Sequence, residues 1–168
     1  MSFKELLKKV ESSKEFYKFK KNNPTAKLYS AFFTFRKAFG NLLVECEQID
    51  YLVGKTKIKT FFMQNDEVKS KQDILERPVE NFQALKKNIK VDIKDIEKIL
   101  AEEMKKQKIF SEIQEVVAIL QRHENKQVWN IIVILSSLDM LRLHIDMDGK
   151  ILLSKKENLM NLMQFKSQ

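Results

Sequence analysis

The chain has 168 residues, enough for one domain or two small ones, and at 43% hydrophobic it can build a core without disulfide or metal. Cys46 is the only cysteine, which excludes an intrachain disulfide, and the longest apolar run, Ile131–Leu135, is far too short to cross a bilayer. The net charge of +8 invites an anionic partner, but Arg36, Arg77, Arg122 and Arg142 are the only arginines, so the excess is lysine, the weaker residue for bidentate phosphate or base contacts.

Phe3, Leu6, Leu7, Val10, Phe16 and Phe19 recur at helical spacing among lysines and glutamates, which predicts an amphipathic helix. Ser2 caps it, Glu5 three residues on completes a capping box, and Asn22-Asn23-Pro24 ends it. Leu28–Phe35 reads as a strand with Tyr29, Ala31, Phe33 and Phe35 on its apolar face. Turns at Gly40-Asn41 and Gly54-Lys55 separate it from strands over Leu42–Leu52 and Lys57–Met63. Residues 64–90 are polar with weak periodicity and read as a connector, broken by Pro78, with a helical turn or two over Val79–Leu85.

A second helix opens at Asp92, an N-cap with Asp95 three residues later and Val91 and Ile96 placed as a hydrophobic staple. Ile93, Ile96, Leu100 and Met104 line one face of it. Glu115–Gln121 follows as a strand, and His123–Lys126 as a hairpin loop. Val128–Leu135 is apolar on both faces apart from Asn130, as in a central strand or one covered partly on its second face. In the next strand Leu141, Leu143, Ile145 and Met147 alternate with Arg142, His144 and Asp146, giving one dry and one wet face. Asp148-Gly149 supplies a tight turn, Ile151–Leu153 a short returning strand, and Asn158–Phe165 a C-terminal helix with Leu159, Leu162, Met163 and Phe165 inward.

Residues 1–63 and 91–153 thus share one order, helix and three strands, recurring after about 85–90 residues. The fold class is α+β: two helix-plus-antiparallel-sheet (αβββ) units, 1–63 and 91–168, joined by 64–90 and forming either two subdomains or one sheet.

No arrangement of chemical residues rises to a catalytic or metal site. Asp146-Met147-Asp148-Gly149 resembles the nucleophile motif of haloacid-dehalogenase phosphatases, but Lys150 stands where that family has threonine, and as a calcium loop it would end on Lys155 instead of a glutamate. His123 and His144 have no partner at zinc-ligand spacing. Cys46 with His144 makes a thiol–imidazole pair only if the fold joins them. Glycines are confined to Gly40, Gly54 and Gly149, so no phosphate-cradling loop exists. Phe32, Phe33 and Phe35, next to Arg36 and Lys37, suit core packing better than base stacking.

The second half resembles the PepSY domain, the module found in propeptides of thermolysin-like metalloproteases. The resemblance rests on Val91–Ala101, Glu115–Gln121, Val128-Trp129-Asn130-Ile131 and Leu143-His144-Ile145-Asp146-Met147-Asp148-Gly149-Lys150-Ile151-Leu152, with a degraded copy in residues 1–63. It implies a non-catalytic binding or inhibitory module, here as a free-standing cytoplasmic relative. The expected function is protein binding with no cofactor and no membrane, and the wet face of Arg142, His144 and Asp146 is the candidate binding face. A nucleic-acid-associated protein using its lysines is the alternative reading, and an enzyme with an unrecognised site the second.

Overall fold

The computed structural model describes residues 1–38 and 40–161. Two short helices open the chain, α1 (Phe3–Glu11) and α2 (Lys14–Asn22). The apolar stripe read as one helix is broken at Ser12-Ser13. The Ser13 hydroxyl accepts from the Phe16 N–H at 3.1 Å and so caps a new helix in place of continuing the old one. That redirects Phe16 and Phe19 onto Tyr51 and Phe61, with ring centroids 5.1–6.1 Å apart.

Eight strands follow, with α3 (Ile93–Lys106) inserted midway. They are β1 (Lys27–Ala38), β2 (Asn41–Val53), β3 (Lys57–Gln64), β4 (Glu67–Ile74), β5 (Ile113–His123), β6 (Lys126–Leu135), β7 (Asp139–Asp146) and β8 (Ile151–Asn158). All pair antiparallel in one sheet of order β4-β3-β2-β1-β5-β6-β7-β8. Each half is a four-strand meander, and the halves join through their first strands, from Ala31–Leu120 to Arg36–Glu115. This register places a local two-fold axis at Phe33-Thr34, opposite Ala118-Val117. Of the two arrangements open to the sequence, the chain takes the single continuous sheet.

Each half therefore has four strands against the three of the αβββ order: in the second half the fourth is the returning strand already read at Ile151–Leu153, and in the first it is β4, which the pattern did not give. β4 lies inside the segment taken as connector, and its polarity has a physical reason. It is an edge strand with lysines at 69 and 71, which discourage further pairing. Asn65 and Asp66, at φ of 50° and 60°, form the positive-φ turn that joins it to β3. Likewise β8 continues to Asn158 as the other edge, beyond the expected Leu153. Val79–Leu85 is irregular and not helical. Of the expected C-terminal helix, Leu159–Asn161 are helical, while Leu162, Met163 and Phe165 lie outside the described residues. Among the described residues no helix is long and apolar enough to cross a membrane.

α1, α2 and α3 pack on one face of the sheet. The core there combines Phe3, Leu6 and Val10 of α1 with Ile96 and Leu100 of α3, over Phe33, Leu120, Trp129 and Ile131 of the central strands. Trp129 packs against Phe33 across the seam, and its indole N–H donates to the Val91 carbonyl at 2.8 Å, tying β6 to the entry of α3. The two helix N-termini converge on Asp92. Its Oδ1 accepts from the Ile93 N–H and from the Phe3 N–H, both at 2.7 Å, so one carboxylate caps α3 and also meets the positive end of α1.

Because two helix ends share Asp92, Asp92→Ala should destabilise more than the loss of an ordinary cap. We expect about 2 kcal/mol, against about 1 kcal/mol for Ser2→Ala, which caps α1 alone, compared by urea unfolding. Equal losses would show that the shared cap carries no extra stability.

Candidate functional site: the uncovered face of the sheet

Period-two alternation sends every second side chain of the sheet away from the helices. On the central strands many of these are apolar. Phe32 of β1 stands opposite Ile119 of β5, Val117 opposite Ile132 of β6, and Ile134 opposite Glu115. None of these five hydrophobic residues belongs to the helix-side core, and all are half-buried. Met140, opposite Ile134, and Leu43, opposite Arg36, extend the strip at either side. Arg36, with its guanidinium near Glu45 (3.1 Å) and Glu115 (3.9 Å), borders it.

One corner of this face is closed. The chain leaving β4 runs back along the β2–β3 turn, with Leu75 N–H donating to the Thr56 carbonyl (2.7 Å) and Val79 N–H to that of Lys55 (2.8 Å). Leu52 and Ile58, directly opposed there, are buried. Beside them Asp50 is buried too, its carboxylate accepting from the Ser30 and Thr60 hydroxyls, both at 2.6 Å. A bulge between Leu28 and Ser30 turns Tyr29 out of the apolar face assigned to it and onto Phe82 of the connector, with ring centroids 5.0 Å apart. Between connector and sheet lies a cavity of about 360 Å³ with Ser30, Ile119 and Gln121 among its lining residues. Arg122 closes one wall by donating to the Gln83 and Asn125 carbonyls.

The residues singled out from sequence are distributed as follows. Arg142, His144 and Asp146 do share the uncovered face, on β7 opposite Ile132, Asn130 and Val128. They flank the apolar strip. Asp146 is occupied by its own turn, since its Oδ1 accepts from the N–H groups of Asp148 and Lys150, both at 2.9 Å, which explains the phosphatase-like spelling as turn chemistry. His144 lies against His123, with ring centroids 5.1 Å apart. The side-chain oxygen of Asn130, its cross-strand neighbour, is buried without a hydrogen-bond partner among the described residues. Cys46 is on β2, four strands from His144, about 19 Å at ordinary strand spacing, so the two form no pair. Burial raises the Cys46 thiol pKa, which keeps it protonated. Phe33 is buried in the core and Phe35 packs beside it, while Phe32 alone of the three faces outward. Among the described residues no group of three or more His, Cys, Asp or Glu side chains is placed to hold a metal ion.

Sequence reasoning placed Arg142, His144 and Asp146 together on β7 and left open a partly covered second face for Val128–Leu135, but missed that the apolar strip continues over β5 and β1. The signal was present in Val128–Leu135 and Val116–Leu120, whose two apolar faces require a second cover. Comparison with protein-family models, curated proteins and solved structures finds no match.

The His144 imidazole is held below its ordinary pKa, chiefly by burial, then by electrostatic repulsion from its neighbours His123 and Arg142, with Glu124 opposing. A depressed folded-state pKa means that the folded protein resists protonation. Its contribution to stability is present above about pH 6.5, the unfolded value, and is lost as pH falls through the folded one. Thermal stability should therefore decline as pH falls below about 6.5, and His144→Gln should flatten that decline. An unchanged slope in the variant would remove His144 as its source.

Proposed function

We propose that this chain is a non-catalytic protein-binding module whose uncovered sheet face receives an amphipathic helix of another protein. One observation carries the proposal: an antiparallel sheet with a solvated face alternates apolar and polar side chains, but here the central strands keep Phe32, Val117, Ile119, Ile132 and Ile134 on the side away from the helices. The strip crosses β1, β5, β6 and β7, three strand spacings or about 14 Å, the length of a helix of about 10 residues. On the opposite face the 14-residue α3 occupies a site of this kind. Arg36 and Arg142 border the strip with Glu115, a mixed charged rim around an apolar centre of the sort that fixes the orientation of a partner.

The same reading keeps the two halves as relatives of the PepSY module. The helix-then-strands order repeated after about 85 residues and the local two-fold of the sheet support it. It also keeps a cytoplasmic setting, supported by the single cysteine.

The test places a photo-crosslinking amino acid at position 117, in native lysate treated with nuclease. The expected product is a defined protein crosslinked through an amphipathic helical segment, and it should vanish in the variant Ile119→Lys/Ile132→Lys while the variant retains a cooperative melt. Crosslinking to a second copy of the chain, or a crosslink that survives the double substitution, would refute the proposal.

A further inference from the structure

The net charge is not spread evenly. Residues 28–83 carry eight basic and eight acidic side chains, and residues 109–168 carry seven of each, so the sheet-forming segments are neutral. The whole +8 comes from residues 1–27, with eight lysines against three glutamates, and residues 84–108, with eight lysines against five acids. These segments hold α1, α2, α3 and the approach to α3. Of their sixteen lysines all but Lys20 are exposed. The protein is thus polarised: one side of the sheet is apolar at its centre, and the helical layer on the other side carries the positive field.

Five of these lysines line a trough that runs beside α1 and on between α2 and the approach to α3. Two adjoining cavities, of about 400 and 460 Å³, share Glu11 and Lys87; Lys20 and Lys27 line the first, Lys4 and Lys8 the second. Glu11 is the one acid there, and it is engaged, accepting from the Tyr51 hydroxyl at 2.8 Å and from Lys87 Nζ at 2.6 Å. Five lysines and one carboxylate leave a strongly positive channel.

We infer that the helical layer binds duplex nucleic acid through its phosphate backbone, without reading sequence, and that the α1 trough is the main contact. Charge complementarity selects a polyanion. The absence of arginine from both basic segments fits point contacts to phosphates and not bidentate base recognition. A membrane surface is the poorer fit, because a helix lying in a bilayer must turn its apolar face to the lipid. Here α1, α2 and α3 bury theirs against the sheet, and Tyr17 is the single exposed large apolar residue in the two basic segments.

The probe is a fluorescently labelled 20-base-pair DNA duplex of mixed sequence, titrated with the full chain by anisotropy at 50 and 200 mM salt. With about five phosphate contacts the affinity should fall by about 10²–10³-fold between the two salts, and a scrambled duplex should bind equally. The variant K4Q/K8Q/K87Q should bind at least about tenfold more weakly at 50 mM, with a salt slope shallower by about 3. The control K69Q/K155Q/K156Q removes the same charge from the sheet edges and should stay within about threefold of the parent. K4Q/K8Q, which leaves the Glu11–Lys87 pair intact, keeps the result readable if the triple variant melts early. No binding at 50 mM, equal weakening in both triple variants, or retention on phosphatidylserine vesicles without duplex binding would overturn the inference.

Discussion

β1 and β5 are far apart in sequence, yet their antiparallel ladder from Ala31–Leu120 to Arg36–Glu115 is what turns two four-strand meanders into one sheet. Other features follow from that register. The local two-fold it creates sets α1 and α3 on the same face of the sheet and brings their N-termini together. Two positive helix ends side by side need a shared anion, and Asp92 supplies it from within the chain. The same register brings Phe33 and Trp129 together beneath the helices.

Three helices on one face leave an eight-stranded sheet half covered. The connector and the Tyr29 bulge close one corner, where Asp50 is satisfied by two hydroxyls. Elsewhere the second face keeps hydrophobic residues in its centre and charge at its borders. The edges are defended by lysine at 69 and 71 on β4 and at 155 and 156 on β8, which steers association away from edge-to-edge strand pairing and toward the face. With the lysine excess confined to the helical segments, the two sides of the sheet present different chemistries and suit different partners.

Local signals in the sequence reached the structure intact. Asp92 with Asp95, Ser2 with Glu5, and the turn residues Gly54 and Gly149 each act within a few residues, so spacing alone locates them. The alternation of Arg142, His144 and Asp146 placed that face correctly for the same reason. Features decided by distant contacts were not legible. β4 is mostly polar because it is an edge, with Val68 alone packed against the core, and only the Asn65-Asp66 turn hinted at it. The Tyr29 bulge depends on Phe82, and the outward position of Phe32 depends on its register with β5, which no local pattern encodes. The separation of Cys46 from His144 likewise follows from strand order alone.

The claim on which the rest turns is that the β1–β5 ladder is the stable centre of one cooperative sheet. Native-state hydrogen exchange on the backbone amides of residues 31–36 and 115–120 tests it directly. The structure predicts that the ladder amides among them rank with the most protected in the protein and exchange only through global unfolding, together with those of β2 and β6. If the seam amides exchanged ahead of the interior of each half, the chain would be two independent units in contact, and the continuous uncovered face would lose its basis.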